Sequence, residues 1–299
     1  MPDSVNHRPT GRGRKAPARS PEQRDQEQRN QEQEQVSLDQ QTTARRRLRG
    51  HLTLAIDIGG SHLKCGVIAV TGQMVMGPER VVTPDPAAPR AVVDALAELA
   101  QKLTPFDRIS IGFPGVVRDG LILTAPNLGT DLWHGFALAV ALSDRLGKPA
   151  RLLNDATVQG LGAIAARGVE CVITLGTGMG FALFRNGKPA PHLEFSQHPI
   201  HGRKTYDHYI GDEARRAAGN QRWNKRVHRA IGLIGTVVNY DTLYIGGGNA
   251  RHINFELPAN VQIVSNEAGI TGGVRLWDAR LDDVFTDPSA RYPTPQRPA

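Results

Sequence analysis

Cysteine is nearly absent: Cys65 and Cys171 are the two in 299 residues. Both lie in apolar, strand-like runs far apart in the chain. That argues against a disulfide framework and against a four-cysteine zinc site, and free buried thiols in a reducing cytoplasm are expected. No apolar run reaches the length of about 18 residues that a membrane-spanning helix needs. The N-terminus is polar and carries no apolar core of a secretory signal. Residues 1–50 are also nearly devoid of aliphatic side chains while rich in Gln, Arg, Glu and Pro. Such a segment cannot bury enough apolar surface to offset its chain entropy, so a disordered tail is expected there. A second frayed tail is expected at 285–299, where Pro288, Pro293, Pro295 and Pro298 cluster.

The formal net charge is +7. Residues 1–50 hold 11 Lys/Arg against 7 Asp/Glu, and the remainder holds 25 against 22. The folded part is therefore only mildly basic, which permits a polyanionic partner without requiring one. The run Arg45-Arg46-Arg47-Leu48-Arg49 reads either as a solvated spacer or as a polyanion contact.

Between the tails, strand and helix patterns alternate, the mark of an α/β fold. Helical patterns run over 91–103, 136–146 and 156–166. Strand patterns run over 52–56, 67–70, 109–113, 150–154 and 171–175. Arg118-Asp119-Gly120 has the composition of a hairpin turn between Val116-Val117 and Leu121–Leu123. The units 52–70 and 171–186 share one layout, strand, glycine turn, strand, which suggests an internal duplication and two related lobes with a cleft between them. Whether 203–229 forms a helix pair or a flap stays open at this level.

Candidate chemistry clusters in the loops. Asp57-Ile58-Gly59-Gly60-Ser61-His62-Leu63-Lys64 places a carboxylate, a glycine turn, a hydroxyl and a lysine between two strands, which suits a phosphate chain with a divalent metal; a bare hairpin turn is the plainer reading. Leu175-Gly176-Thr177-Gly178-Met179-Gly180 is a second glycine loop. It is neither a P-loop nor a dinucleotide fingerprint, since a strand follows it. Asn154-Asp155 stands at a strand end before a helix, where it serves as a helix cap or as a general base for phosphoryl transfer. Asn127, after Pro126, is a turn residue or a ligand for a sugar hydroxyl. Gly246-Gly247-Gly248 either packs on a nucleobase or turns a strand into a helix. Four histidines, His192, His198, His201 and His208, match no standard metal spacing, whereas Glu194 and His198 suit hydrogen bonding to a polyol. Asn266 to Trp277 reads as a helix made slim by glycines.

Taken in order, these motifs resemble the ROK family of sugar kinases (repressors, open reading frames, kinases), and within it the polyphosphate glucokinases. The resemblance rests on Asp57, Gly59, Gly60, Ser61 and Lys64; on Ile111–Val117; on Asn127; on Leu153–Ala156; on Leu175–Gly180; on Ile245–Gly248; and on Asn266–Gly269. It implies the two-lobed ribonuclease H-like fold of actin and hexokinase, with 51–167 plus 268–284 as the small lobe and 168–267 as the large lobe. It implies phosphoryl transfer from polyphosphate or ATP to the 6-hydroxyl of glucose or a related hexose. Asp155 would be the base. Asp57 would help place Mg²⁺, through water. Gly59, Gly60, Ser61, Lys64, Gly176, Thr177, Gly178, Gly180 and Gly246–Gly248 would hold the donor. Asn127, Asn154, Asp155, Glu194 and His198 would hold the sugar. A homodimer without membrane or specific nucleic-acid partners is the implied assembly. The family pattern Glu-x-Gly-His is here Glu194-Phe195-Ser196-Gln197-His198, with one residue inserted, and no cysteine-rich zinc loop follows. Regulators in the same family carry a helix-turn-helix that residues 1–50 lack the apolar residues to pack. A non-catalytic sugar sensor is the alternative.

Overall fold

The structure, a computed structural model, describes residues 50–264 and 268–285. Apart from Gly50 and Phe285, the two expected tails lie outside the described residues, as do Asn266 and Glu267.

Two five-stranded sheets organise the chain. The first comprises β1 (Thr53–Ile58), β2 (His62–Ile68), β3 (Met74–Val82), β4 (Arg108–Phe113) and β7 (Ala150–Asn154), in the order β3-β2-β1-β4-β7. A small hairpin, β5 (Val117–Arg118) and β6 (Leu121–Ile122), lies between β4 and β7 in the chain. The second sheet comprises β8 (Val169–Leu175), β9 (Met179–Arg185), β10 (Lys188–Pro189), β13 (Thr242–Gly246) and β14 (Val261–Ile263), in the order β10-β9-β8-β13-β14. Another hairpin, β11 (Pro199–His201) and β12 (Lys204–Thr205), follows β10. Each sheet opens with an antiparallel meander and continues with two parallel strands. The duplication suggested by the glycine turns is thus a duplication of sheet order and strand sense.

Helices cover the sheets. The first sheet packs against α1 (Pro89–Gln101) and α2 (Leu138–Leu146). Helix α1 starts on proline, which needs no partner for an N–H at that position. It buries Val92, Val93, Leu96, Leu99 and Ala100 on one face. Helix α2 stops at Gly147, which adopts the left-handed conformation that ends many helices. In the central strands, Leu54, Ile56, Ile109 and Ile111 occupy alternate positions and turn one face into the core shared with these helices. The edge strand β3 is mostly exposed and carries Pro78, Glu79 and Arg80, which discourage pairing with another chain.

In the second half, α4 (Tyr206–Ile210) and α5 (Asp212–Val238) cover one face of the sheet. The segment left open by the sequence is therefore helical, broken at Gly219, whose φ of 72° and ψ of 156° are not helical. Trp223 is fully buried and donates from Nε1 to the Ile210 carbonyl at 2.8 Å, tying the two helices together.

Two helices occupy the middle, α3 (Asp155–Ala163) and α6 (Ala268–Arg275). Ala156, Val158 and Leu161 of α3 pack with Val172, Ala182 and Phe184 of the second sheet. Gly273 of α6 accepts from the Ser110 hydroxyl of β4 at 2.6 Å. The slim helix expected from the glycines is explained at Gly272: a Cβ there would sit 1.7 Å from the Val158 carbonyl oxygen. Helix α3 ends before Ala166, where the sequence pattern continues it. The buried Glu170 carboxylate accepts the Ala165 and Arg167 N–H groups at 2.7 and 2.9 Å, so these leave the helical ladder. No helix among the described residues is long and apolar enough to cross a membrane.

Candidate active site

The first glycine loop is the turn between β1 and β2. Asp57 and Lys64 are directly opposite in the ladder, and Lys64 Nζ lies 3.2 Å from Asp57 Oδ2, with both side chains about half exposed. The Gly59 N–H donates to His62 O at 3.0 Å. Thr83, almost fully buried, fixes the turn from outside: its hydroxyl donates to Gly59 O at 2.7 Å and its N–H to Ser61 O at 3.0 Å. Thr83 carries no motif and is invisible to sequence reasoning. Gly60 faces the turn that holds Asn127, with its Cβ position 3.4 Å from Asn127 Cβ. Asn127 itself is exposed.

The second glycine loop, between β8 and β9, is closed by Gly176 N–H donating to Gly178 O at 3.0 Å. Its outer side is held by α5 and by the 246–249 turn. The Asp212 N–H points at Gly176 O (3.0 Å), Asn249 Nδ2 donates to Gly176 O at 3.1 Å, and Asn249 N–H donates to Leu175 O at 2.9 Å. Gly247 has φ of 85° and lies so close to Leu175 that a Cβ would fall 2.4 Å from its carbonyl oxygen. The structure thus brings Gly246–Gly248 beside the loop at 176–178. Asp207 of α4 accepts the Met179 N–H at 2.7 Å. Burial pushes the Asp207 carboxyl above its ordinary value. A Cβ at Gly180 would meet Ala156 at 2.8 Å, so this loop abuts the first turn of α3.

That turn carries Asn154 and Asp155, and the two divide the roles between them. Asn154 caps the helix, its Oδ1 accepting Thr157 N–H at 3.2 Å. Its Nδ2 donates to Phe113 O (3.3 Å) and Gly115 O (3.2 Å). Asn154 therefore clamps the β4 loop, and both its amide protons are taken by protein. Asp155 follows at the first helical position, partly buried, with Oδ1 accepting Ala156 N–H at 2.7 Å. Its carboxyl is pushed up to about 7, first by burial and next by the negative charge of Asp57. Glu194 adds to the rise; the Ala156 N–H and His192 oppose it. Asp57, Glu194 and His192 are thus within electrostatic reach of Asp155. A carboxylate poised near neutrality is matched to proton abstraction at neutral pH.

Glu194 is held by the Ser196 hydroxyl, which donates to Oε1. Gln197 continues the chain, donating to Ser196 Oγ at 3.2 Å and to Asp207 Oδ2 at 3.3 Å. Burial works against charge on Glu194, but His192 and Ser196 outweigh it and hold the carboxyl below its ordinary value. His192 Nε2 is 3.7 Å from Glu194 Oε2. His198, named from the sequence as the sugar histidine, is exposed, and its ring packs 6.0 Å from Phe195 and 6.3 Å from Tyr206 between centroids. His192 was visible in the sequence only as one of four histidines. A separate cavity of about 80 Å³ beside Leu161, Lys188, Arg275 and Leu281 contains none of these residues.

Among the described residues, no three His, Cys, Asp or Glu side chains are grouped to hold a metal ion. Asp57 is a hard oxygen donor, about half exposed at the first glycine loop. It fits Mg²⁺, which takes one or two carboxylates and completes its shell with water and phosphate oxygens.

Two sheets of like order around a central helix pair form the two-lobed ribonuclease H-like fold of actin and hexokinase. Solved structures agree. The inorganic polyphosphate/ATP-glucomannokinase of Arthrobacter sp. strain KM matches with a TM-score of 0.67 at 28% identity, over 75% of this chain and 97% of that one. A ROK family glucokinase from Streptomyces griseus, solved with glucose and AMPPNP, matches in fold with a TM-score of 0.64 at 18% identity, over 75% and 98%. A family model described as the ROK family matches residues 53–191. The chain is also 31% identical over 247 residues to a polyphosphate glucokinase of Mycobacterium leprae (strain TN), covering 77% of this chain and 74% of that protein. The chain belongs to the ROK family.

Proposed function

We propose that the protein is a sugar kinase that transfers a phosphoryl group from polyphosphate or ATP to the 6-hydroxyl of glucose or a related hexose. The observation that carries this reading is Asp155: a partly buried carboxyl held near neutrality, next to one glycine loop and in electrostatic reach of Asp57 beside the other. Family membership and the names of the relatives supply the reaction class.

In this reading Asp155 accepts the proton of the 6-hydroxyl as its oxygen attacks the terminal phosphorus and the bridging bond to the rest of the donor breaks. Asn127 and Glu194 hold other sugar hydroxyls. Asn154 keeps Asp155 at the head of α3 and the β4 loop in place. The backbone N–H groups of Gly60, Ser61, Thr177 and Gly178 face the donor phosphates, while those of Gly59 and Gly176 close the two turns, with Lys64 as the cation. Asp57 would hold Mg²⁺, which when bound would supply charge neutralisation on the donor. Closure of the lobes excludes water and favours the sugar hydroxyl over hydrolysis.

The test is a coupled assay for glucose 6-phosphate with purified protein, Mg²⁺, and either ATP or polyphosphate. Product with either donor supports the reading, and the ratio of kcat/KM ranks the donors. Asp155→Asn lowers turnover by roughly 10²–10⁴-fold, the span expected for loss of a general base. Glucose binding without any turnover would instead identify a sensor.

A further inference from the structure

The tail of α3, the turn between β9 and β10, and the chain at the end of α6 enclose the cavity of about 80 Å³. Its lining is of two kinds. Leu161, Ile164 and Leu281 are buried, at 3%, 7% and 2% exposure. Lys188, Arg275 and Arg280 are exposed and come from three separate elements: β10, the end of α6, and the short 3₁₀ turn Ala279–Leu281. Asp278 is the one carboxylate in the lining. It is already matched, accepting the Arg280 N–H at 3.1 Å, Nε at 3.0 Å and Nη2 at 2.5 Å. These bonds hold its carboxyl down at about 2, so it stays charged and engaged with Arg280. Donors remain on all three cations. Arg280 Nη1 has no partner among the described residues. Lys188 gives one of its three N–H groups to Asp283 Oδ2 at 2.7 Å. Arg275 makes no hydrogen bond or ion pair with a described residue. Exposed cations are ordinarily satisfied by water. Here they adjoin an apolar hollow, and the combination selects a ligand with one apolar end and one anionic end.

We infer that this cavity binds a short-chain carboxylate, its two or three carbons against Leu161, Ile164 and Leu281 and its carboxylate on Arg275, Arg280 and Lys188. The inference is independent of the kinase reading. Size sets the carbon count: the hollow has about half the volume of the roughly 150 Å³ cavity that takes benzene. Charge sets the head group, since guanidinium donors pair with the two oxygens of a carboxylate. Inorganic phosphate suits the site less well. It has no apolar end, and oxygens turned toward the leucines would lose water without gaining partners. A bound carboxylate would join the tail of α3, whose head carries Asp155, to the β9–β10 turn and to α6.

The experiment uses the full chain, with propionate as the probe and melting curves and ligand-observed NMR as the readouts. A ligand of about five heavy atoms is expected to bind with a Kd of about 1 mM. At about 20 mM propionate, Tm then rises by about 4–7 °C over a chloride control of equal ionic strength. Arg275→Ala weakens propionate binding about 5- to 20-fold, and Arg275→Lys keeps part of it. Leu161→Phe fills the hollow and abolishes binding; if that variant does not fold, the two Arg275 variants decide. 1-Propanol lacks the charge and inorganic phosphate lacks the apolar end, so each binds here at least about tenfold more weakly than propionate. Phosphate is scored by the difference between wild type and Arg275→Ala, which separates this cavity from the glycine loops. No Tm rise beyond the chloride control overturns the inference. So does equal propionate affinity in wild type and Arg275→Ala, or phosphate or propanol binding at this cavity as tightly as propionate.

Discussion

Asp155 ties function to stability, and the link has a sign. Its carboxyl is raised from the ordinary 3.8 to about 7 in the folded protein. The folded state therefore holds this proton where the unfolded chain has lost it. The stability this contributes is fully present below about pH 4 and disappears as pH rises through about 7. At about 1.4 kcal/mol per pH unit the whole effect is at most about 4 kcal/mol. The residue keeps some surface open to solvent, so about 2–4 kcal/mol is the working figure. Asp155→Asn removes the ionisation while keeping the shape and the acceptor for Ala156 N–H. The variant should gain on wild type as pH rises from 4 to 8 and then hold its advantage. In a domain of this size that is a difference in Tm of very roughly 4–16 °C at pH 8 relative to pH 4. Urea unfolding of both proteins at half-unit steps from pH 4 to pH 9 measures it. A stability difference that does not change with pH would refute the burial argument. The same carboxyl sets the rate: kcat/KM of wild type should climb about tenfold per pH unit well below 7 and level off above it.

Other consequences follow from named contacts. Lys64→Ala removes the cation opposite Asp57 and should raise the donor KM about 10- to 100-fold, with a much smaller change in sugar KM; donor titrations at saturating glucose test this. Gly272→Ala gains about 1 kcal/mol in helix propensity but puts a methyl 1.7 Å from the Val158 carbonyl, so a net loss of about 2 kcal/mol or more is expected in urea unfolding. Thr83→Val keeps the shape and loses the bond to Gly59 O; a loss of about 1 kcal/mol and a weaker donor affinity are expected from melting and kinetics. Deleting residues 1–49 should weaken polyphosphate use and flatten its salt dependence if the arginine run before residue 50 meets the donor; unchanged kinetics at low and high salt would dismiss that role.

Much of the architecture was legible because it is periodic. Strand β7 at 150–154 was read to the residue, and the two glycine turns announced the duplicated sheet order. What failed was local in sequence but decided from afar. Helix α3 ends early because Glu170, on the next strand, takes its N–H groups. The break at Gly219 is a backbone choice that no pattern marked, since glycine is also tolerated within a helix.

The site divides in the same way. The alternation of strand and helix patterns sufficed to indicate an α/β fold, and the two glycine turns between paired strands were legible because turn geometry is local. Which histidine is buried beside Glu194 was not local. The fold buries the His192 side chain and leaves His198 exposed, and that depends on how the segment after β10 packs against Phe181 and Tyr206. The near-neutral carboxyl of Asp155 is likewise a product of assembly. Asp57 and Glu194 are distant in sequence, and only the folded chain brings their charges near Asp155 while stripping it of water.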